Sequence, residues 1–262
     1  KTIAMFQNIP QVTKNILLLN IAFFVASLIL KSQGIDLEMS LGAHYINSPF
    51  FEPYQVVTHF FMHDTNNLLH IFFNMWLFVT LGAYLENLWG AKRFFIFYIV
   101  SAMGSFALYN MIGFIEIMQL KSMLAQQFDL EQFDFYLKHR VNLNADLVGQ
   151  INTYLTDNQI RVTPVLENYL QKSITPMVGA SGGVFGIMTA FAILFPNTEF
   201  RLYFFIPVKA KYLVSAYFLW ELYLSFQHQA GDNVAHLAHI GGAIAGAILV
   251  LVWRKKDRSN FW

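Results

Sequence analysis

No cysteine occurs among the 262 residues, which removes disulfides, thiolate catalysis and sulfur-ligated metal from consideration and says little about compartment. Charge is scarce too: Asp, Glu, Lys and Arg make up 13% of the chain, against about 25% in ordinary soluble domains. The net charge of +1 gives no reason to expect a nucleic-acid partner. No signal peptide with a cleavage site is visible, and the first apolar segment is expected to serve as the insertion signal. What fills the chain is apolar: 56% hydrophobic and 17% aromatic, in uncharged runs close to 20 residues long. A helix needs runs of that length to cross a hydrocarbon core of about 30 Å. The expected fold class is all-α, a polytopic membrane protein.

Six spans are expected, at about 15–30, 68–87, 94–115, 176–195, 212–226 and 234–253. The chain then divides into 1–112 (spans one to three), 113–172 (a helical insertion on the outer face) and 173–262 (spans four to six and a basic tail). Basic residues set the orientation. Eleven would lie on one side (Lys1, Lys14, Lys92, Arg93, Arg201, Lys209, Lys211, Arg254, Lys255, Lys256, Arg258) and six on the other. Both termini are therefore expected in the cytoplasm, with a bacterial inner membrane as the expected location. Within the insertion, Leu143, Leu147, Ile151 and Tyr154/Leu155 recur at helical spacing, and Thr163-Pro164 reads as an N-cap followed by proline in the first turn. Ile117, Leu120, Leu124 and Phe128 mark another amphipathic helix. These helices would lie on the membrane surface, pack on the ends of the spans, or be an inert decoration.

Polar side chains inside spans are costly, so each calls for a partner or a task. Spans two, four and six run inward and carry such groups near their outer ends. His70 and Asn74 are one turn apart on the second; Ser181 lies about five residues into the fourth; His236 and His239 open the sixth. All fall roughly 3–12 Å below the outer helix ends. Histidine is the usual base for a serine hydroxyl, and asparagine, histidine and backbone N–H groups can stabilise an oxyanion. No carboxylate stands at matching depth on these three helices, so a serine hydrolase here would be a dyad, its imidazole held by packing. Glu221, in the fifth span, has no obvious partner and is expected to make a hydrogen bond in the inner half. Gly182 and Gly186 on span four could mesh with Gly242 and Gly246 on span six, closing the distance between serine and imidazole. Phe185 would stack on the His239 ring or simply pack.

Four pieces in this order resemble the rhomboid family of intramembrane serine proteases: Gly179-Ala180-Ser181-Gly182, Ala238-His239 with Gly242 and Gly246, His70-x-x-x-Asn74, and Gly82-x-x-x-Glu86. The resemblance covers about 10–112 and 173–256. It implies a six-helix rhomboid-like bundle with Ser181 as nucleophile and His239 as general base. His70, Asn74 and the Ser181 N–H would bind the oxyanion, and Gln227–Asn233 would be a mobile cap. Implied partners are the lipid bilayer and single-span membrane proteins, cut near the outer face, with no cofactor. Glu86 is expected to tie the inner end of span two to a neighbouring backbone. The chain departs from the pattern at Tyr54-Gln55, where many members have Trp-Arg, at Phe185, where some have tyrosine, and in the roughly sixty-residue insertion.

Two rivals remain. His59 and His63 have metal-ligand spacing, and with His70, His236 and His239 they would form a zinc or haem site, although no acidic ligand joins them. His59, His63 and His236 also fit purely structural roles. The other rival is a proteolytically inactive relative that binds or escorts membrane proteins; the retention of both Ser181 and His239 argues against it.

Overall fold

The computed structural model describes residues 9–143, 146–202, 206–227 and 235–256. Among the described residues, four helices are long and apolar enough to cross a membrane: α1 (Gln11–Lys31), the continuous helix Leu68–Trp89, α6 (Ala91–Leu124) and α12 (His236–Lys256). Leu68–Trp89 is α4 (Leu68–Leu77) and α5 (Ala83–Trp89) joined by one π-helical turn, Phe78–Gly82. Two further helices complete the bundle, the apolar α10 (Ser181–Leu194) and α11 (Ala210–Gln227). Short helices α2 (Leu37–Leu41) and α3 (Gln55–Thr58) punctuate the loop after α1.

The all-helical expectation is corrected in one place. Residues Glu199–Leu202 (β1) and Ile206–Lys209 (β2) form an antiparallel hairpin between α10 and α11, with Glu199 opposite Lys209. The register puts Phe200 opposite Val208, and β-branched and aromatic side chains favour extended pairing of this kind.

Helix ends follow local chemistry. Gly90, at φ 78°, turns the chain from α5 straight into α6, a left-handed conformation that L side chains rarely adopt. The start of α1 has no cap of its own; Pro10 offers no side-chain acceptor. Glu86 of α5 supplies one. Its Oε1 accepts from the Val12 N–H at 2.9 Å, and Oε2 accepts from the Thr13 N–H and hydroxyl, both at 2.7 Å. This agrees with the tie expected of Glu86.

At 34 residues α6 is about 51 Å long, roughly 20 Å more than a bilayer core. The expected helix through Ile117, Leu120 and Leu124 is thus not separate; it is the continuation of α6, and position 113 falls inside it. Three insertion helices follow, α7 (Leu130–His139), α8 (Leu147–Asp157) and α9 (Pro164–Ile174); α9 packs along this extension, and α8 stacks Tyr154 on Tyr136 of α7. Asp129, Asp146 and Thr163 cap them, each accepting from a first-turn N–H. Ile117, Leu124, Phe133, Ile151, Leu166 and Tyr169 share one core with Tyr45, Phe50, Met177 and Ala238. Lys121 bonds Asp134 at 2.7 Å, Tyr169 donates to the same carboxylate, and Lys172 pairs with Glu116 at 2.7 Å. The insertion therefore packs on the ends of the helices, one of the two placements expected.

Candidate active site

The fourth expected span is shorter than its apolar run because Gly179 breaks it. At φ 125° Gly179 cannot continue a helix, and its N–H donates to the His59 carbonyl at 3.1 Å. Met177 pairs with Ala43 in an isolated bridge, so residues before Ser181 belong to the loop layer. Ser181 is the first residue of α10, where sequence spacing put it about five residues inside a span. Likewise His70 is the third residue of α4, and His236 and His239 the first and fourth of α12. Three helix N-termini converge on one place.

Two glycine pairs bring them together. A Cβ on Gly242 would sit 2.0 Å from the Gly182 carbonyl oxygen, and one on Gly246 would sit 2.7 Å from Gly186 Cα. Backbone thus lies on backbone along the α10–α12 seam, as small-residue spacing permits. One turn up this seam, His239 Nε2 lies 2.9 Å from Ser181 Oγ. Phe185 lies flat on the His239 ring, centroids 4.3 Å apart at 8°, and Tyr217 packs against Phe185 at 5.0 Å. Of the two expectations for Phe185, stacking is what occurs.

The other face of the site comes from α4. A Cβ on Gly179 would be 3.2 Å from His70 Nε2 and 3.3 Å from Ser181 Oγ, so those atoms lie within 6.5 Å of each other. Asn74 Nδ2 donates to the His70 carbonyl at 2.9 Å, within its own helix. All these groups line one cavity of about 680 Å³.

Glu221 corrects two expectations. It does not bond in the half away from the site, and the imidazole is not held by packing alone. Its Oε2 accepts from Nδ1 of His239 at 2.8 Å and from Nδ1 of His236 at 2.7 Å. Glu221 is 4% exposed and both histidines 9%. An acidic group therefore does join a histidine cluster, and Glu221, His236 and His239 have ligand atoms within 4.8 Å of one another. His59 and His63 are elsewhere. His59 Nδ1 donates to the Gln55 carbonyl at 2.7 Å, and the His63 ring packs 5.2 Å from His70. Burial pushes the His59 imidazole down to about 4 and, with the neighbouring His70, that of His63 to about 3.

Gln55 was also missed. It is buried, and its amide accepts from the N–H of His44 (3.3 Å) and Glu52 (3.1 Å) and donates to the carbonyls of Ser40 (3.3 Å) and Phe50 (3.1 Å). Gln55 thus ties four backbone positions of the loop after α1 together. The expected cap, Gln227–Asn233, lies outside the described residues from 228 onward.

Membrane-length helices around a partly buried serine–imidazole contact define a class: an integral membrane protein with a hydrolase-like polar site among its helix ends. The chain belongs to the rhomboid family, matching the Rhomboid domain over residues 51–116 and 140–256. It is also similar to an uncharacterized mitochondrial rhomboid protein of Schizosaccharomyces pombe, 35% identical over 93 residues that cover 33% of this chain and 24% of that protein. The match thus spans about a quarter of that relative's length.

Proposed function

We propose that this protein is an intramembrane serine endopeptidase that cuts transmembrane segments of other membrane proteins near the outer face of the bilayer. The observation that carries the reading is the 2.9 Å contact between Ser181 Oγ and His239 Nε2. An ionised carboxylate only accepts hydrogen bonds, so the proton on His239 sits on Nδ1, facing Glu221. Nε2 then offers its lone pair to the serine O–H, the arrangement a general base needs.

In the proposed reaction His239 Nε2 takes the Ser181 proton while Oγ bonds to the scissile carbonyl carbon. The C–N bond breaks as Nε2 returns the proton to the leaving amine. Water then repeats the sequence on the acyl-enzyme, releasing the second fragment as a carboxylic acid and restoring the serine. The developing oxyanion would be met by the Ser181 N–H, in the first turn of α10 where helix N–H groups lack intrahelical partners, and by His70. Asn74 would join them by exchanging its bond to the His70 carbonyl for one to the oxyanion. The family's six spans would be α1, α4–α5, α6, α10, α11 and α12. The excess of basic residues supports both termini in the cytoplasm and a site opening outward.

The test is labelling by a fluorophosphonate serine probe, combined with cleavage of a reporter transmembrane substrate. Wild type should label and cut; Ser181→Ala and His239→Ala should do neither while still folding. A folded wild type that neither labels nor cuts would favour an inactive, escort-type relative. Undiminished cleavage by Ser181→Ala would remove the serine from the mechanism.

A further inference from the structure

The site holds a carboxylate that serine–imidazole chemistry does not by itself require. Burying an ionised carboxylate among helices is expensive unless strong hydrogen bonds replace water. Glu221 Oε2 receives two from histidine, from His239 Nδ1 at 2.8 Å and His236 Nδ1 at 2.7 Å. Charge-assisted bonds of this length are roughly twice as strong as neutral ones. The two rings stand almost perpendicular, at 85°, so they approach the oxygen from different directions. A carboxylate gripped from two sides cannot swing away from either ring.

The same helix supports the second ring in another way. Tyr217, one turn before Glu221 on α11, packs on Phe185, and Phe185 covers the face of the His239 ring. Helix α11 thus contacts both the edge of the imidazole, through Glu221, and its face, through Phe185. From one end to the other, Glu221 Oε2, His239 and Ser181 Oγ form an unbroken carboxylate–imidazole–hydroxyl chain.

We infer that Glu221 is a positioning residue for the hydrolysis proposed above, acting through His239 and itself steadied by His236. It fixes the tautomer that leaves Nε2 free, and it balances the positive charge the ring carries after taking the serine proton. The carboxylate stays ionised throughout; the proton passes from Oγ to Nε2 to the leaving nitrogen and never to Glu221. The inference rests on Ser181 and His239 being nucleophile and base.

The alternative occupant of these three groups is a metal ion. Ligand atoms around a tetrahedral zinc, each about 2.0–2.1 Å from the metal, lie roughly 3.3 Å apart. The separations of 2.7 and 2.8 Å are shorter than that, and they are the lengths of shared protons.

The experiment uses the full chain in liposomes with a transmembrane reporter substrate. Glu221→Gln keeps the shape and removes the charge. Its kcat should fall about 10²–10⁴-fold with KM within about threefold, and the rate of probe labelling at Ser181 should fall in parallel, the pattern expected when an imidazole loses its orienting acid. A purely structural role would instead move the melting temperature and KM. With Ser181→Ala inactive, a Glu221→Gln kcat within threefold of wild type overturns the positioning role alone. Cleavage surviving in Ser181→Ala overturns the underlying reading instead. Should Glu221→Gln fail to fold, the wild type decides the matter by ¹⁵N histidine spectra, with the His239 signal assigned by difference against His239→Gln. The Nδ1–H tautomer supports the inference and the Nε2–H tautomer overturns it. Loss of wild-type activity to a chelator, restored by zinc, also overturns it, by making the three groups metal ligands.

Discussion

Adding a single methyl group at Gly242 tests whether the glycine seam sets the distance between the serine and the imidazole. A Cβ there would meet the Gly182 carbonyl oxygen at 2.0 Å, its carbon at 2.7 Å and its Cα at 2.9 Å. All three are backbone atoms, so no side chain can rotate out of the way. Ordinary contact begins near 3.4 Å, so α12 must retreat from α10 by about 1.4 Å. Ser181 adjoins Gly182, and His239 lies one turn before Gly242, so the same displacement reaches the 2.9 Å contact and carries it past hydrogen-bonding range. A misplacement of about 1 Å can lower the rate roughly 10²-fold, and overpacking of this kind costs about 1–3 kcal/mol. Gly242→Ala is therefore expected to cut reporter cleavage and probe labelling at least 10²-fold while the chain still melts cooperatively. Gly246→Ala provides the comparison. Its Cβ would meet Gly186 Cα at 2.7 Å, so the seam must open by only about 0.7 Å, nearly two turns from His239. Its loss should be clearly smaller. Equal losses in the two variants, or wild-type activity in Gly242→Ala, would refute the claim that this seam sets the geometry of the site.

Replacing Glu86 with alanine leaves the Val12 and Thr13 N–H groups without their acceptor, at a cost of about 1–3 kcal/mol, and a thermal melt in detergent should show the drop. An unchanged melting temperature would remove the cross-helix cap as a source of stability. Gly90→Ala meets no atom within 4 Å, so its whole effect is the positive-φ backbone, about 1–3 kcal/mol, with Ser181 labelling unaffected in the folded fraction. Acid should destabilise the fold through its buried histidines. Between pH 6.5 and about 4 an unfolded His59 binds a proton that the buried one refuses, so stability falls as pH is lowered through that window. At pH 5 this amounts to on the order of 2 kcal/mol. His59→Gln should flatten the decline in melting temperature between pH 7 and 5, and a parallel decline in the variant would assign it to other groups.

Much of the site is visible in the chain because its parts are local in sequence. His70 and Asn74 declare a shared helix face, and the four glycines declare a close seam, each through spacing of three or four residues. The Ser181 position was misjudged because hydropathy reports where apolar residues are, not where the backbone turns; a positive φ at Gly179 starts the helix late. Glu221 was misplaced for a different reason. Its partners lie 15 and 18 residues on, across a loop, and the register of α11 against α12 is a property of packing. Comparing depths would have found it: Glu221 stands six residues before the end of α11, and His239 three after the start of α12. The hairpin was hidden because two four-residue strands carrying Glu199, Arg201 and Lys209 look like a charged loop between two spans.

The carboxylate at the start of α1 carries a consequence for biogenesis. That helix leaves the ribosome before α5, and the acceptor for its opening N–H groups sits more than seventy residues later in the chain. Its opening turn stays frayed until Glu86 has been synthesised and inserted beside it. A helix made well before α5 is thus finished only with it, and a chain arrested before Glu86 would expose an untied end to quality control.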